Sequence, residues 1–264
     1  MFEHVDDCTG QTKASRIART LDLLGGRTSA AEAKSMVRQA IATEGFARRT
    51  ASVSHRAIVN QFPSNKMKRC FAADSKAEAW VLLLADVLER VRAFRPQAVA
   101  IQFGHDGRGC TAYPDVAVET TQGDVELWEC KGDRKLGNEA AARLESLSNS
   151  LAEVGITYRI VRPDWSRREP RASNANRIWR LADYKLVPEQ VDAALGVLRS
   201  GVSTLGELAQ ATGAPRPHLL AIVAQGAFAL NIASSPIGDH STVRTIHQHA
   251  TSGGYGASEG QDFQ

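Results

Sequence analysis

The chain has 264 residues, of which 43% are hydrophobic and 23% charged, and a formal net charge of +3 at pH 7. That supplies one sizeable core plus a smaller unit, while the small net charge does not by itself mark a nucleic-acid binder. No apolar run approaches the roughly eighteen residues of a spanning helix, and the N-terminus lacks a signal-type apolar core, so a soluble, cytoplasmic protein is expected. The four cysteines, at positions 8, 70, 110 and 130, show no CxxC spacing, which argues against a zinc site or a disulfide frame and for reduced thiols.

Residues 1–50 read as a basic helical N-terminal segment. Ile17, Leu21 and Leu24, then Ala33, Met36, Val37 and Ile41, mark amphipathic stretches interrupted by Gly25-Gly26. The mixed α/β core is expected over residues 51–165. It opens on a helix read over residues 71–91, with Ser75 as N-cap and Glu78 at the capping-box distance. Trp80, Leu83, Leu84, Val87, Leu88 and Val91 recur at three- and four-residue steps and give that helix one buried face. Phe94 to Gln97 and Val99 to Phe103 follow as extended, alternating sequence. A glycine-rich turn over residues 105–109 comes next.

Residues 113–131 carry the chemistry. Val116-Ala117-Val118 continues from Asp115 as a β-type run, Thr120 to Asp124 holds turn residues, and Val125 to Lys131 resumes a strand, so the segment reads as a hairpin. Side chains two apart on a strand share a face, which puts Glu129 and Lys131 on one side. Asp115, at the start of the partner strand, is expected to meet them at the hairpin's end. Two carboxylates with waters suit a hard, oxygen-seeking cation such as Mg²⁺ (or Mn²⁺) that keeps much of its hydration. A lysine beside them adds a point charge at the attacking water or the phosphorus. The plain structural alternative is a solvated hairpin edge with a cross-strand ion pair, and for Glu78 it is the capping box itself. Gln97 is expected close to the site.

Beyond Lys131, residues 138–154 read as a helix with Ala141, Leu144, Leu147 and Leu151 on one side, and residues 156–161 as a strand. The strand-strand-helix-strand order suits a sheet with helices on both faces. Residues 166–187 read as a basic connector. Residues 188–246 show a helix, a second helix ending at Gly213, a third over residues 217–225 and a strand, the order of a winged helix-turn-helix. The third helix is Leu/Ala/Ile-rich with only Arg216 and His218 near its start, which favours protein docking over base reading. The tail, residues 247–264, is expected to be disordered, and its His247-Gln-His249 lacks further metal-ligand partners.

Basic residues cluster on either side of the hairpin. Residues 1–70 hold twelve Lys/Arg against six Asp/Glu, and Arg162, Arg167, Arg168, Arg171, Arg177 and Arg180 crowd a later stretch. Lys66, Lys68, Arg69, Arg167, Arg168 and Arg171 are the expected double-stranded DNA contacts, because phosphate neutralisation needs such patches.

A Ser-x-x-Glu helix, a Pro-Gln before a strand, Tyr-Pro-Asp and then Glu-x-Lys resemble the PD-(D/E)xK nuclease superfamily. More narrowly, with Phe62 to Arg69 as lead-in, they are similar to the TnsA endonucleases, strand-nicking subunits of heteromeric transposases. The resemblance covers about residues 55–165 and, more loosely, the C-terminal part. It implies an α/β fold with a restriction-endonuclease-like mixed sheet flanked by helices and a C-terminal winged-helix domain. It further implies Glu78, Asp115 and Glu129 as metal carboxylates, Lys131 as catalytic lysine, Mg²⁺-dependent nicking at transposon ends, a DDE-type transposase partner and an AAA+ ATPase regulator. The Cys-containing strands (Cys110, Cys130) and the residues before Pro114 depart from the family pattern. A stand-alone restriction or repair nuclease, or a catalytically inactive DNA-binding assembly factor, are the alternatives.

Overall fold

The computed structural model describes residues 19–43, 60–132 and 137–246. The stretch before Arg19, which includes Ile17, and the tail with His247 and His249 lie outside the described residues.

A four-stranded mixed sheet organises the chain: β4 (Val91–Pro96), β7 (Val116–Thr120), β8 (Val125–Cys130) and β9 (Thr157–Val161), in that spatial order. β7 pairs antiparallel with both β4 and β8, whereas β9 runs parallel to β8. A parallel partner needs a crossover, and α3 (Asn138–Glu153) lies between those two strands in the chain. The alternation of the strands sends apolar side chains to both faces. Phe94, Val116, Val118, Trp128 and Val161 face the cluster that includes α2 (Lys76–Val87). Ala117, Val125 and Leu127 face a second cluster, which is completed by α3, by α1 (Ala30–Ala42) and by the sheet of β1 (Thr20–Asp22), β5 (Ala100–His105) and β6 (Arg108–Ala112). Mixed sheets with helices on both sides are therefore the architecture, as the element order suggests.

Local sequence explains the ends of the elements. Ser29 caps α1, its side chain and that of Glu32 satisfying each other's backbone N–H groups in a complete capping box. Ser75 caps α2 by accepting from the Glu78 N–H. The β5–β6 hairpin closes on two residues, Asp106 at φ 48° and Gly107 at φ 71°, the paired left-handed conformations of a primed turn. The expected glycine-rich turn over residues 105–109 is thus narrower, and Arg108 onward is strand.

Three expectations are corrected. Leu21 lies in a strand, not a helix: β1 pairs parallel with β5, Leu21 opposite Ile101, and Leu21 is buried. A short Leu/Asp run has no clear period, and the edge of β5 decides its conformation. With α1 packed beneath the same core, the described residues before the boundary drawn at residue 50 pack together with those beyond it. The helix read over residues 71–91 is shorter, because Arg69–Ala73 form β3, paired with β2 (Asn60–Ser64), and Val91 opens β4.

The third correction concerns the connector. It contains α5 (Arg171–Trp179), follows directly on α4 (Pro163–Ser166), and Trp165 of α4 and Ala172, Ala175 and Ile178 of α5 are buried. Its arginines obscure an apolar face at three- and four-residue steps. The elements beyond it, α6 (Pro188–Arg199), α7 (Leu205–Thr212), α8 (Arg216–Ala224) and the antiparallel pair β10 (Phe228–Leu230) and β11 (Val243–Thr245), contribute to the same hydrophobic cluster as Phe94 and Trp128. Asn174 stitches the two parts, donating to the Ile232 and Ser235 carbonyls at 2.9 and 2.7 Å and accepting from the Ile237 N–H at 3.0 Å.

Candidate active site

The site is built where three strands of the central sheet end side by side. The β4–β7 register, Pro96 opposite Val116, carries on to Gln97 opposite Asp115, and the Gln97 N–H donates to the Asp115 carbonyl at 2.9 Å. The β7–β8 register, Val116 opposite Trp128, places Asp115 opposite Glu129. Opposed residues on neighbouring strands share a face, so Asp115 and Glu129 stand side by side, and Gln97, one residue past β4 with φ 48°, is tied to them through its N–H. Lys131, two residues beyond Glu129, shares that face, and its Nζ lies 2.5 Å from Glu129 Oε1. Asp115 Oδ2 accepts from the Cys130 N–H at 2.6 Å, which ties the carboxylate to the end of β8.

Glu78 comes from the first turn of α2. It accepts from the Asp74 N–H at 3.0 Å and from the Ser75 hydroxyl at 3.0 Å. The helix-cap role foreseen for Glu78 is therefore in use, with Asp74 in place of the Ser75 N–H. Glu78 nevertheless shares a field with the strand-end acids. Burial pushes the Glu78 carboxyl above the usual range, and repulsion from Asp74 and Glu129 adds to it. Asp115 is pushed up to about 7, first by burial, then by the Glu129 charge, with Glu78 contributing and the Cys130 N–H and Lys131 opposing. Burial and the same carboxylates push up the Cys130 thiol and the Tyr158 phenol. Asp115, Glu129 and Glu78 thus lie within one another's electrostatic reach, and such a set is a functional-site candidate on physical grounds.

The donors are all oxygens, which fits a hard divalent cation. The geometry is closed: Glu129 is held by Lys131, Glu78 by the α2 cap and Asp115 by Cys130. Among the described residues no three His, Cys, Asp or Glu side chains converge as a preformed metal cage. A cation entering here competes with Lys131 for Glu129. Beside the acids, Glu129, Lys131, Tyr158, Tyr113 and Arg143 line a cleft of about 300 Å³ between the two sheets and α3.

The expected DNA contacts divide into two groups. Lys68, Arg167 and Arg168 are exposed and Arg69 is partly so. Lys66 and Arg171 turn inward and are corrected. The Lys66 ammonium donates to the carbonyls of Ala85, Leu88 and Val91 at 2.7–2.8 Å, closing the C-terminal end of α2, and its burial lowers it to about 7. Arg171 is 3% exposed, sits over the Trp165 ring and donates to the Trp165 carbonyl. On α8, Arg216 pairs with Asp239 and His218 is buried against Tyr184.

Sequence reasoning missed Asp74 and Tyr158 at the site. Asp74 stands immediately before the cap serine, and Tyr158 alternates in phase along β9, so both left a faint local signal. It also missed Glu126, buried on the opposite face and held by Arg90, Arg159 and the Trp128 indole N–H. Its two arginine partners lie more than thirty residues away, and no local pattern names them.

Compared with known proteins, the chain matches no family model and no curated protein sequence.

Among the described residues no helix is long and apolar enough to cross a membrane.

Proposed function

We propose that the chain is a divalent-metal-dependent DNA endonuclease, the strand-nicking subunit of a heteromeric transposase, with a restriction-endonuclease-like core and a winged-helix C-terminal unit. The observation that carries the reading is the row of strand-end residues: Asp115 opposite Glu129, with Lys131 on the same face and Glu78 close enough to repel both acids. A Mg²⁺ or Mn²⁺ ion held by Asp115 and Glu129, with Glu78 as a further ligand, would acidify a bound water and neutralise charge on the phosphate.

The protein's own groups then have defined tasks. Asp115 and Glu129 would hold the ion, whose charge would bind the phosphate. Lys131, whose Nζ pairs with Glu129, would supply positive charge where the transition state becomes more negative. Water adds its oxygen to phosphorus in line with the P–O3′ bond, that bond breaks, and the departing oxygen takes a proton. The products are a 5′-phosphate and a 3′-OH. Lys68, Arg69, Arg167 and Arg168 supply backbone contacts. The engaged Arg216 and the buried His218 leave α8 without base-reading groups, which favours docking to a transposase or to its ATPase regulator.

The capped Glu78 and the Lys131–Glu129 pair favour one second reading, a catalytically inactive assembly factor. A supercoiled-plasmid nicking assay with Mg²⁺, run with and without a DDE-type transposase and an AAA+ ATPase as partners, tests both. Nicking that Lys131→Ala lowers by at least about 10²-fold supports the enzyme. Nicking by the purified chain alone supports the stand-alone nuclease, and assembly activity unchanged by Lys131→Ala supports the inactive factor.

A further inference from the structure

Gln97 stands beside the candidate centre and is not built like a core residue. It is 5% exposed, and its backbone sits at φ 48°, a left-handed conformation that side-chain-bearing residues avoid. Its Nε2 donates to Asp74 Oδ2 at 3.1 Å, and the Asp74 N–H in turn donates to Glu78 Oε2 at 3.0 Å. With its own N–H on the Asp115 carbonyl, Gln97 joins the strand-end acid to the helix acid through one bonded chain. Among the described residues no donor reaches its buried Oε1. A buried amide oxygen without a partner is costly, and backbone strain of this kind collects at sites that bind something.

We propose that Gln97 is a ligand-side residue of the divalent-ion centre, its amide oxygen completing the oxygen set of Asp115 and Glu129 while its amide NH₂, through Asp74, holds Glu78 to the same point. The inference rests on the nuclease reading, which makes those two carboxylates metal-binding. A neutral amide is the side chain the electrostatics favour here. It adds an oxygen donor without adding a further negative charge to a cluster in which Asp115, Glu78 and Glu129 already repel one another. Glutamate at this position would stand against Asp74 as well.

Two full-length variants test the role. Gln97→Gly removes the amide and relieves the left-handed backbone, and Gln97→Met removes the amide while filling the space. Mn²⁺ titration by calorimetry and metal-free thermal unfolding are read on each. The expected result is that Gln97→Gly unfolds no lower than the wild type without metal, and that both variants bind Mn²⁺ about tenfold or more weakly, the loss typical when a supporting group of a metal site is removed. Wild-type binding with both variants within twofold of it overturns the inference and leaves the nuclease reading standing. A wild-type protein that takes up no Mn²⁺ overturns both.

Discussion

Asp115 is the residue whose environment differs most from that of a free carboxylate. Its proton is held up to about 7 by burial and by Glu129, against an ordinary value of 3.8. A carboxyl raised on folding contributes stability that is fully present below the unfolded pKa and is lost as the pH rises through the folded one. Asp115 should therefore cost little near pH 4 and progressively more up to about pH 7, with no further change above. Replacing it with asparagine keeps the shape and the capacity to accept from the Cys130 N–H but removes the charge. Asp115→Asn should raise the unfolding temperature at pH 8 and by much less at pH 4.5. A gain of equal size at both pH values, read by thermal unfolding, sinks this account of the site. A divalent ion at Asp115 should reverse the order, stabilising the wild type more at pH 8 than at pH 5.5, since protons compete for the same oxygens.

At the level of elements, α2 connects the site to the core, and both of its ends are held. Ser75 and Glu78 close the first turn, and Lys66 closes the last by donating to three carbonyls. Asp86, 6% exposed, accepts in turn from the Ser64 hydroxyl and from the Asn65 and Lys66 N–H groups. Lys66→Ala takes the ammonium from the Ala85, Leu88 and Val91 carbonyls, of which Leu88 keeps the Val91 N–H, a loss on the order of 2 kcal/mol. Denaturant unfolding should show that loss, while affinity for duplex DNA measured at one salt concentration should not change. A reduced salt slope of binding would instead return Lys66 to the phosphate-contacting set. The contrast shows what was legible. The cap of α2, the β7–β8 hairpin and the pairing of faces at Glu129 and Lys131 follow from spacings of two to four residues, and sequence displays such spacings directly. The inward turn of Lys66 and Arg171 does not, because a cation in a basic stretch reads the same whether it meets a phosphate or a buried carbonyl.

For the whole molecule, the question is whether the C-terminal helices fold apart from the sheet. Sequence suggested separate units because residues 166–187 are dense in arginine, and charge density resembles a linker. Packing makes a linker of that stretch impossible. Phe62 stacks on Trp179 at 5.6 Å, Ala175 and Ile178 are in the core, Trp165 just before the stretch meets Trp128 edge-on with ring centroids 6.4 Å apart, and Leu198, Leu208, Leu219 and Phe228 share a cluster with Phe94 and Val116. Removing residues beyond 187 would strip apolar partners from the α2 face of the sheet, and large cavities of that kind cost several kcal/mol each. The described part of the chain should therefore unfold as one cooperative unit. Scanning calorimetry should give a single transition whose calorimetric and van 't Hoff enthalpies agree, and a chain ending at residue 187 should show no such transition. Two resolved transitions, or a shortened chain that melts cooperatively, would show that the shared cluster does not bind the two parts together. In the single-unit case a partner docked on α6–α8 acts on a body continuous with α2, whose first turn carries Glu78. Docking would then shift the acids through packed helices rather than across a flexible joint. The same calorimetry, repeated with Mn²⁺ present, should move that one transition as a whole.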